Sequence, residues 1–283
     1  MKDVIELPHE HVLAQGFYLE AGRAGLKPNC VFTKKNRIVF ETNSWGLRGP
    51  EWDPNKKLVV IWGDSVIFGS IYGYSHWVEK LNDKFEDYQF MNGGIEGDGL
   101  ENIIARATRL NKKTEVNLNI LFPGWHPSGL KGSENGQVEE WLDQALTGSL
   151  RINSALVTLP TVLSSEIVNI DFRPYLFLDS DPGDDAFFNA WSNIDPSPES
   201  MKEVYRRLIE RNQIIRKVAQ RHGVNLFDWF EAIRPSSFGE ARRIFFDVPH
   251  PRPSASQMIA DLWVDWLQTV LNDGSIQRSV KAG

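Results

Sequence analysis

The sequence predicts an α/β fold in which a mostly parallel sheet lies between two layers of helices. From Lys57 onward, short apolar runs alternate with amphipathic helical patterns, which is the order that builds βαβ units. The first run, Leu58–Trp62, is apolar throughout, as a strand buried on both faces should be. The longest helical pattern, Ser200–His222, ends at Gly223, a residue that caps helices well.

The remaining elements follow from the same periodicities. Trp77, Leu81 and Phe85 recur at helical spacing, and Pro160 ends a strand. We expect strands over about 57–63, 89–92, 116–122, 154–159 and 224–227, and helices over about 75–86, 99–113, 200–222 and 254–272. Parallel sheets bind ligands beyond the carboxyl ends of their strands, so residues in those loops are the candidates for a site.

The region before the first strand differs from this pattern. Residues 1–56 are predicted to form an N-terminal appendage with a short hairpin, because Val31–Thr33 and Arg37–Phe40 flank a turn. Residues 57–283 are then predicted to be the main domain.

Two long connections interrupt the main domain, at 127–149 and 163–199. The first carries a short acidic helical pattern around 137–146. The second contains Phe187, Phe188 and Trp191, an aromatic set that suits stacking on a sugar ring. Connections of this length often act as lids or binding loops, so both are predicted inserts, and the second is predicted to border the site.

Composition excludes several classes of function. The net charge is −6 and no block of basic residues occurs, so nucleic acid is not expected as a partner. The single cysteine, Cys30, excludes an internal disulfide and a cysteine-based zinc site, and is predicted to be a buried thiol. No apolar run has the length of a membrane span, and Met1–Pro8 does not read as a secretory signal. A cytoplasmic location is therefore expected.

Two short motifs at opposite ends of the main domain carry the chemistry. Gly63-Asp64-Ser65 follows the first strand, and Asp247-Val248-Pro249-His250 precedes the last helix. Serine as nucleophile, histidine as base and aspartate as the group that orients the histidine are the parts of a serine hydrolase. The Gly-x-Ser-x-Gly elbow of the α/β-hydrolases is absent, because Ile67 occupies the second glycine position.

On these motifs the chain resembles the SGNH/GDSL hydrolase family over most of 57–272. The segments that carry the resemblance are Gly63-Asp64-Ser65-Val66, Asn92-Gly93-Gly94-Ile95-Glu96-Gly97-Asp98, Gly124-Trp125-His126-Pro127 and Asp247-Val248-Pro249-His250. The lead-in Asn43–Gly49 also resembles a segment that precedes the first block in some members. The resemblance implies a three-layer α/β/α fold with flavodoxin-like topology, in which Ser65, His250 and Asp247 form the catalytic triad.

The same resemblance implies an oxyanion site, which the tetrahedral intermediate of an esterase requires. Its donors would be the backbone N–H groups of Ser65 and Gly97 and a side chain from the third block. His126 stands there in place of the family's asparagine and could donate a ring N–H. Asp64 and Gly124 complete the predicted oxyanion and substrate-binding group. No metal or organic cofactor is implied.

The other histidines have no ligand-like spacing. His9, His11, His76 and His222 are predicted to be surface residues.

Three functions remain open from the sequence. The first is a serine esterase that hydrolyses small O-acyl esters, with O-acetyl groups on a carbohydrate or polar metabolite as the expected substrates. The second is an O-acyltransferase that uses the same triad. The third is a carbohydrate-binding protein that has lost turnover. The oligomeric state is not predicted.

Overall fold

A computed structural model of the chain describes residues 2–6, 18–20, 23–34, 37–69, 76–125, 134–151, 153–172, 176–177, 187–188 and 197–272. Its strands are β1 (Asp3–Glu6), β2 (Tyr18–Glu20), β3 (Arg23–Leu26), β4 (Cys30–Lys34), β5 (Arg37–Glu41), β6 (Lys57–Gly63), β7 (Tyr88–Gly94), β8 (Leu118–Leu121), β9 (Ser154–Val157), β10 (Leu176–Phe177), β11 (Phe187–Phe188) and β12 (Asn225–Phe227). Its α-helices are α1 (Ser65–Phe68), α2 (Trp77–Leu81), α3 (Leu100–Asn111), α4 (Glu134–Thr147), α5 (Pro198–His222), α6 (Trp229–Ala232), α7 (Phe238–Ile244) and α8 (Ser256–Asn272).

The core is a five-stranded sheet in the order β12-β9-β8-β6-β7, and every neighbouring pair in it is parallel. Numbered within the sheet, this is the order 2-1-3-4-5 of the flavodoxin-like folds. Strand β6 pairs on both sides, so that Val59 lies opposite Phe90 of β7 and Leu118 of β8. Residues Leu58–Gly63 are all buried, as their unbroken apolar pattern predicts.

Helices cover both faces of this sheet. The connection from β6 to β7 runs one way along the sheet, whereas those from β7 through β8 and β9 to β12 run the other way. Right-handed crossovers then place α2 on one face and α3, α4 and α5 on the other. Helix α2 accordingly packs against α8, while α4 packs against α3 and α5. The predicted three-layer α/β/α fold is confirmed.

The boundaries of the central strands agree closely with those predicted from the sequence, and those of the helices agree less well. The helix predicted over 75–86 is only α2, and the acidic helix around 137–146 is the longer α4, which forms the crossover from β8 to β9. Helices α6 and α7 were not predicted. In the connection 163–199, a short 3₁₀ helix at Ile167–Asn169, the parallel pair β10 and β11 and the start of α5 are described.

The N-terminal region packs against the site-bearing end of the sheet. The predicted hairpin is the antiparallel pair β4 and β5, to which β1 adds as a parallel strand. A small apolar cluster, separate from the main core, joins this three-stranded sheet to the end of α1 and to the loop after β7. Its residues are Leu26, Cys30, Phe32, Phe40, Phe68 and Ile95. Cys30 is buried, as predicted. The domain boundary at residue 56 stays a prediction.

None of the helices described is long and apolar enough to cross a membrane.

The contact between β7 and α1 leaves no room for a side chain at Gly94. A Cβ built there would lie 2.2 Å from the backbone nitrogen of Phe68, so Gly94→Ala must displace α1. We expect the free energy of unfolding to fall by about 1–3 kcal/mol, measured by urea denaturation.

Gly136 provides the opposite control, because it lies in α4 and a Cβ there meets nothing within 4 Å. Gly136→Ala should raise stability by about 0.5–1 kcal/mol. Equal effects from the two substitutions would contradict the close packing of β7 on α1.

Candidate active site

Ser65 lies at the junction of β6 and α1. Gly63 and Asp64 build this junction, and Gly69 ends the helix. A Cβ at Gly63 would lie 2.3 Å from the Ile67 side chain, so the turn closes tightly only with glycine. Asp64 caps α1 by accepting the Val66 N–H at 2.9 Å. Gly69 ends the helix in the left-handed region, with a φ of 76°.

The loop that carries Asp247 and His250 is held on two sides. Phe245 and Pro251 form an antiparallel bridge that closes the turn between them. The carbonyl of Val248 accepts hydrogen bonds from the Val162 N–H at 3.0 Å and the Thr161 hydroxyl at 3.1 Å. The turn is therefore anchored to the loop that follows β9, at the same edge of the sheet as Ser65.

The three side chains form one hydrogen-bonded chain. The Nε2 atom of His250 lies 2.7 Å from the Oγ atom of Ser65. On the other side of the ring, Nδ1 lies 2.7 Å from Oδ2 and 2.9 Å from Oδ1 of Asp247. Asp247 also accepts the backbone N–H of His250 at 2.7 Å, and the ring of Phe246 stacks on the imidazole at 5.5 Å. These contacts fix the orientation of the ring.

Opposing effects set the proton affinity of this histidine. Burial, the largest single effect, disfavours the imidazolium, but the charge and hydrogen bond of Asp247 together with the charges of Asp64 and Glu96 outweigh it. The pKa of His250 is therefore raised above its usual 6.5. An imidazole with this environment can take a proton from a neighbouring hydroxyl and hold it as the stabilised cation.

The loop after β7 brings Gly97 to the same edge. The Ile95 N–H donates to the Gly63 carbonyl at 3.0 Å, which places this loop beside the start of α1. Gly97 has a φ of 71°, and a Cβ there would meet nothing within 4 Å among the residues that the structure describes. Within the same part of the chain, the N–H groups of Ser65 and Gly97 have no acceptor.

A buried ion pair supports this loop from below. Arg106 of α3 donates to Asp98 Oδ2 at 3.0 Å and to the Gly93 carbonyl at 2.5 Å, and its guanidinium lies 5.4 Å from the Trp62 ring centroid. Arg106 thus links both ends of the loop that presents Gly97.

A second carboxyl group lies close to the site. Burial raises the pKa of Glu96 to about 7, and the negative charge of Asp64 adds to this effect while His250 opposes it. Since Glu96 directly precedes Gly97, the loop that presents Gly97 also carries a titrating carboxyl group.

Comparisons with known proteins bear on the fold that carries these residues. No family model matches the sequence, and a search of curated proteins finds no significant relative. Solved structures do match. A protein assigned to the lipolytic G-D-S-L family from Desulfitobacterium hafniense is 12% identical with a TM-score of 0.52, and covers 75% of this chain and 99% of its own.

Two further structures give the same result. A member of the lipolytic G-D-S-L family from Veillonella parvula is 16% identical with a TM-score of 0.50, over 74% of this chain and 97% of its own. A GDSL-like lipase from Bacteroides thetaiotaomicron is 13% identical with a TM-score of 0.50, over 80% and 93%. This chain has the GDSL hydrolase fold. At these identities the likeness concerns the fold alone.

Asp64, Gly124 and His126 are the remaining site residues predicted from the sequence. Asp64 is buried, and besides the Val66 N–H it accepts the Trp125 N–H with its second oxygen. Gly124 has a φ of 87°, and a Cβ there would lie 3.2 Å from Asp64, so glycine permits this approach. His126 lies outside the described residues, as do Trp191 and the side chains of Phe187 and Phe188.

Several residues around the site were missed by sequence reasoning. Arg106 and Glu96 carried no distinct signal, because a lone charge on a helix or in a loop is usually solvated. His76 was predicted to lie on the surface, and this was wrong: it is buried, and its Nδ1 accepts the Val78 N–H at 3.3 Å as the cap of α2. A histidine directly before a helix that begins at Trp77 was the available signal. Within the described ranges, no cluster of His, Cys, Asp and Glu could hold a metal ion.

The geometry predicts how His250 titrates. Asp247→Asn removes the largest of the contributions that oppose burial, so the pKa of His250 should fall below its value in the parent protein. The imidazole resonances in an NMR pH titration measure this directly. A titration of His250 that is unchanged in Asp247→Asn would contradict the pairing.

Proposed function

We propose that this protein is a serine esterase that hydrolyses small O-acyl esters through an acyl-enzyme on Ser65. The observation that carries the proposal is the continuous chain Ser65–His250–Asp247, with 2.7 Å from Oγ to Nε2 and 2.7 Å from Nδ1 to Oδ2. Nucleophile, base and orienting carboxylate are each within hydrogen-bond reach of the next.

The reaction follows from these contacts. His250 Nε2 takes the proton of Ser65 as Oγ attacks the ester carbonyl, and the resulting imidazolium is stabilised by Asp247. His250 then gives that proton to the departing alcohol, and the carbon–oxygen bond to the alcohol breaks. Water attacks the acyl-enzyme by the same route, and it releases the carboxylic acid and restores Ser65.

The negative charge on the tetrahedral intermediate needs fixed donors. The N–H groups of Ser65 and Gly97, which have no acceptor among the described residues, are the donors we assign. Asp64 and Gly124 support them by holding the start of α1 against the backbone after β8. A third donor at His126 remains an expectation from the sequence.

The substrates proposed are esters of small acyl groups, O-acetyl groups above all, on a carbohydrate or another polar alcohol. The preference for O-acetyl groups follows from the resemblance to the SGNH/GDSL family, and Phe187, Phe188 and Trp191 of the second insert supply an aromatic set that suits stacking on a sugar ring. Chemical analysis of the products, as free acid or as a new ester on an added sugar, tests hydrolysis against acyl transfer.

Covalent labelling tests the nucleophile. A fluorophosphonate should form one adduct at Ser65 with loss of fluoride, detected by mass spectrometry of the peptide, and Ser65→Ala should not label. Ser154→Ala is the matched control, since this buried serine begins β9 at the opposite edge of the sheet and its removal should leave labelling intact. Labelling that persists in Ser65→Ala would exclude the assignment.

The triad should act as one unit. On an aryl acetate, Ser65→Ala and His250→Ala should each reduce kcat by several orders of magnitude, and the double variant should be no worse than either. The activity of the parent should rise with pH as His250 loses its proton, with a midpoint above 6.5. Losses that multiply in the double variant would show that the two residues act independently.

A further inference from the structure

The lead-in segment Asn43–Gly49 reaches the active-site end of the sheet. Asn43 is buried, and its side-chain oxygen accepts the N–H groups of Trp45 at 2.9 Å and Leu47 at 3.0 Å, which folds the segment into a turn. The turn presents Arg48, which forms an antiparallel bridge with Asn92 of β7 through Arg48 N–H to Asn92 O at 3.0 Å. The segment therefore covers the edge strand just before the Gly97 loop.

The Arg48 side chain points at the end of the helix that Ser65 begins. It is 3% exposed, and its Nη1 donates to the Phe68 carbonyl at 3.0 Å while its Nε donates to Glu79 at 3.0 Å. The guanidinium lies 5.7 Å from the Phe40 ring centroid and 5.8 Å from that of Phe68. A planar fork that satisfies two acceptors at once holds them in a fixed geometry.

The carbonyl of Ile67, one residue before Phe68, also accepts a hydrogen bond. Its donor is the side-chain Nδ2 of Asn92, the bridge partner of Arg48, at 2.7 Å. The last carbonyls of a helix have no intrahelical partner, and α1 has only four residues. Arg48 binds the carbonyl of Phe68, and Asn92 binds that of Ile67. These contacts hold the carboxyl end of α1 in place.

Glu79 and His76 complete the polar surroundings of Arg48. Glu79 accepts from Arg48 with one oxygen and from the His76 N–H with the other at 3.3 Å. Burial lowers the pKa of His76 well below its usual 6.5, and the positive charge of Arg48 adds to this effect. His76 is therefore neutral, and Arg48 is the cation of this group.

We propose that Arg48 is a positioning residue for Ser65, which fixes α1 from its carboxyl end and so aligns Oγ with His250. The proposal rests on the proposed function for its kinetic readout. Because α1 is a single turn, a shift at Phe68 is transmitted directly to Ser65. A misplacement of about 1 Å between reacting groups can cost on the order of 100-fold in rate.

The test compares Arg48→Lys and Arg48→Ala with the parent. We expect kcat on an aryl acetate and the rate of fluorophosphonate labelling at Ser65 to fall about 10- to 100-fold, with little change in KM. Arg48→Lys should lose less than Arg48→Ala, since an ammonium can reach one of the two acceptors but not both. If Arg48→Ala does not fold, Arg48→Lys carries the comparison.

Arg216→Ala is the matched control. Arg216 also pairs with a carboxylate, Asp228, and lies 5.8 Å from the ring centroid of Phe230, but Asp228 follows β12, which β8 and β9 separate from β6. Its removal should lower Tm without changing kcat or the labelling rate well below Tm. Arg48→Lys that is folded and reacts as fast as the parent would overturn the proposal.

A measurement independent of turnover separates this inference from the proposed function. Amide hydrogen exchange at Val66–Phe68 should accelerate in the Arg48 variants, while exchange in α5 stays at the parent rate. A parent protein that neither labels nor turns over esters would refute the esterase proposal alone. Unchanged exchange at Val66–Phe68 would refute the positioning function of Arg48, whatever the activity.

Discussion

The carboxyl group of Asp64 joins the ends of two neighbouring strands, and the site depends on that junction. One oxygen accepts the N–H of Val66, where α1 begins, and the other accepts the N–H of Trp125, where the chain leaves β8. Burial raises the pKa of this carboxyl group, whereas the two N–H donors favour its ionised form. Separating the two loops would break the hydrogen bond between the buried carboxylate and the Trp125 N–H, at a cost of about 1–3 kcal/mol.

Two buried arginines hold the backbone segments that carry Ser65 and Gly97. Arg106 of α3 binds the connection from β7 to α3, Arg48 of the N-terminal segment binds the end of α1, and each has a carboxylate partner, an acceptor carbonyl and an aromatic ring. Burying a guanidinium is costly unless its donors are used, so such groups contribute little net stability. Their donors instead fix the relative position of backbone segments that a purely apolar contact would allow to slide.

The sequence predicted the central sheet and the grouping of Ser65, His250 and Asp247 because the signals for both are local. A short, unbroken apolar run such as Leu58–Trp62 indicates a buried strand. The Asp-Ser pair after β6 and the Asp-x-x-His motif are each at most four residues long. Helices α6 and α7 span one or two turns, too short for a helical period to emerge, and tertiary packing maintains them. The contacts of Arg48 with Phe68 and Asn92 join distant parts of the chain, which a local pattern does not reveal.

The hydrogen bond between Ser65 and His250 spans 185 positions of the chain. A ribosome that adds about 5–20 residues per second takes roughly 10–40 s to cover that interval. Throughout it the nascent chain carries Ser65 without its hydrogen-bond partner His250 and without Asp247, which holds that ring. The hydrogen-bonded chain of the three side chains therefore assembles only after residue 250 has been added, and a chain interrupted before that point holds Ser65 as an ordinary alcohol.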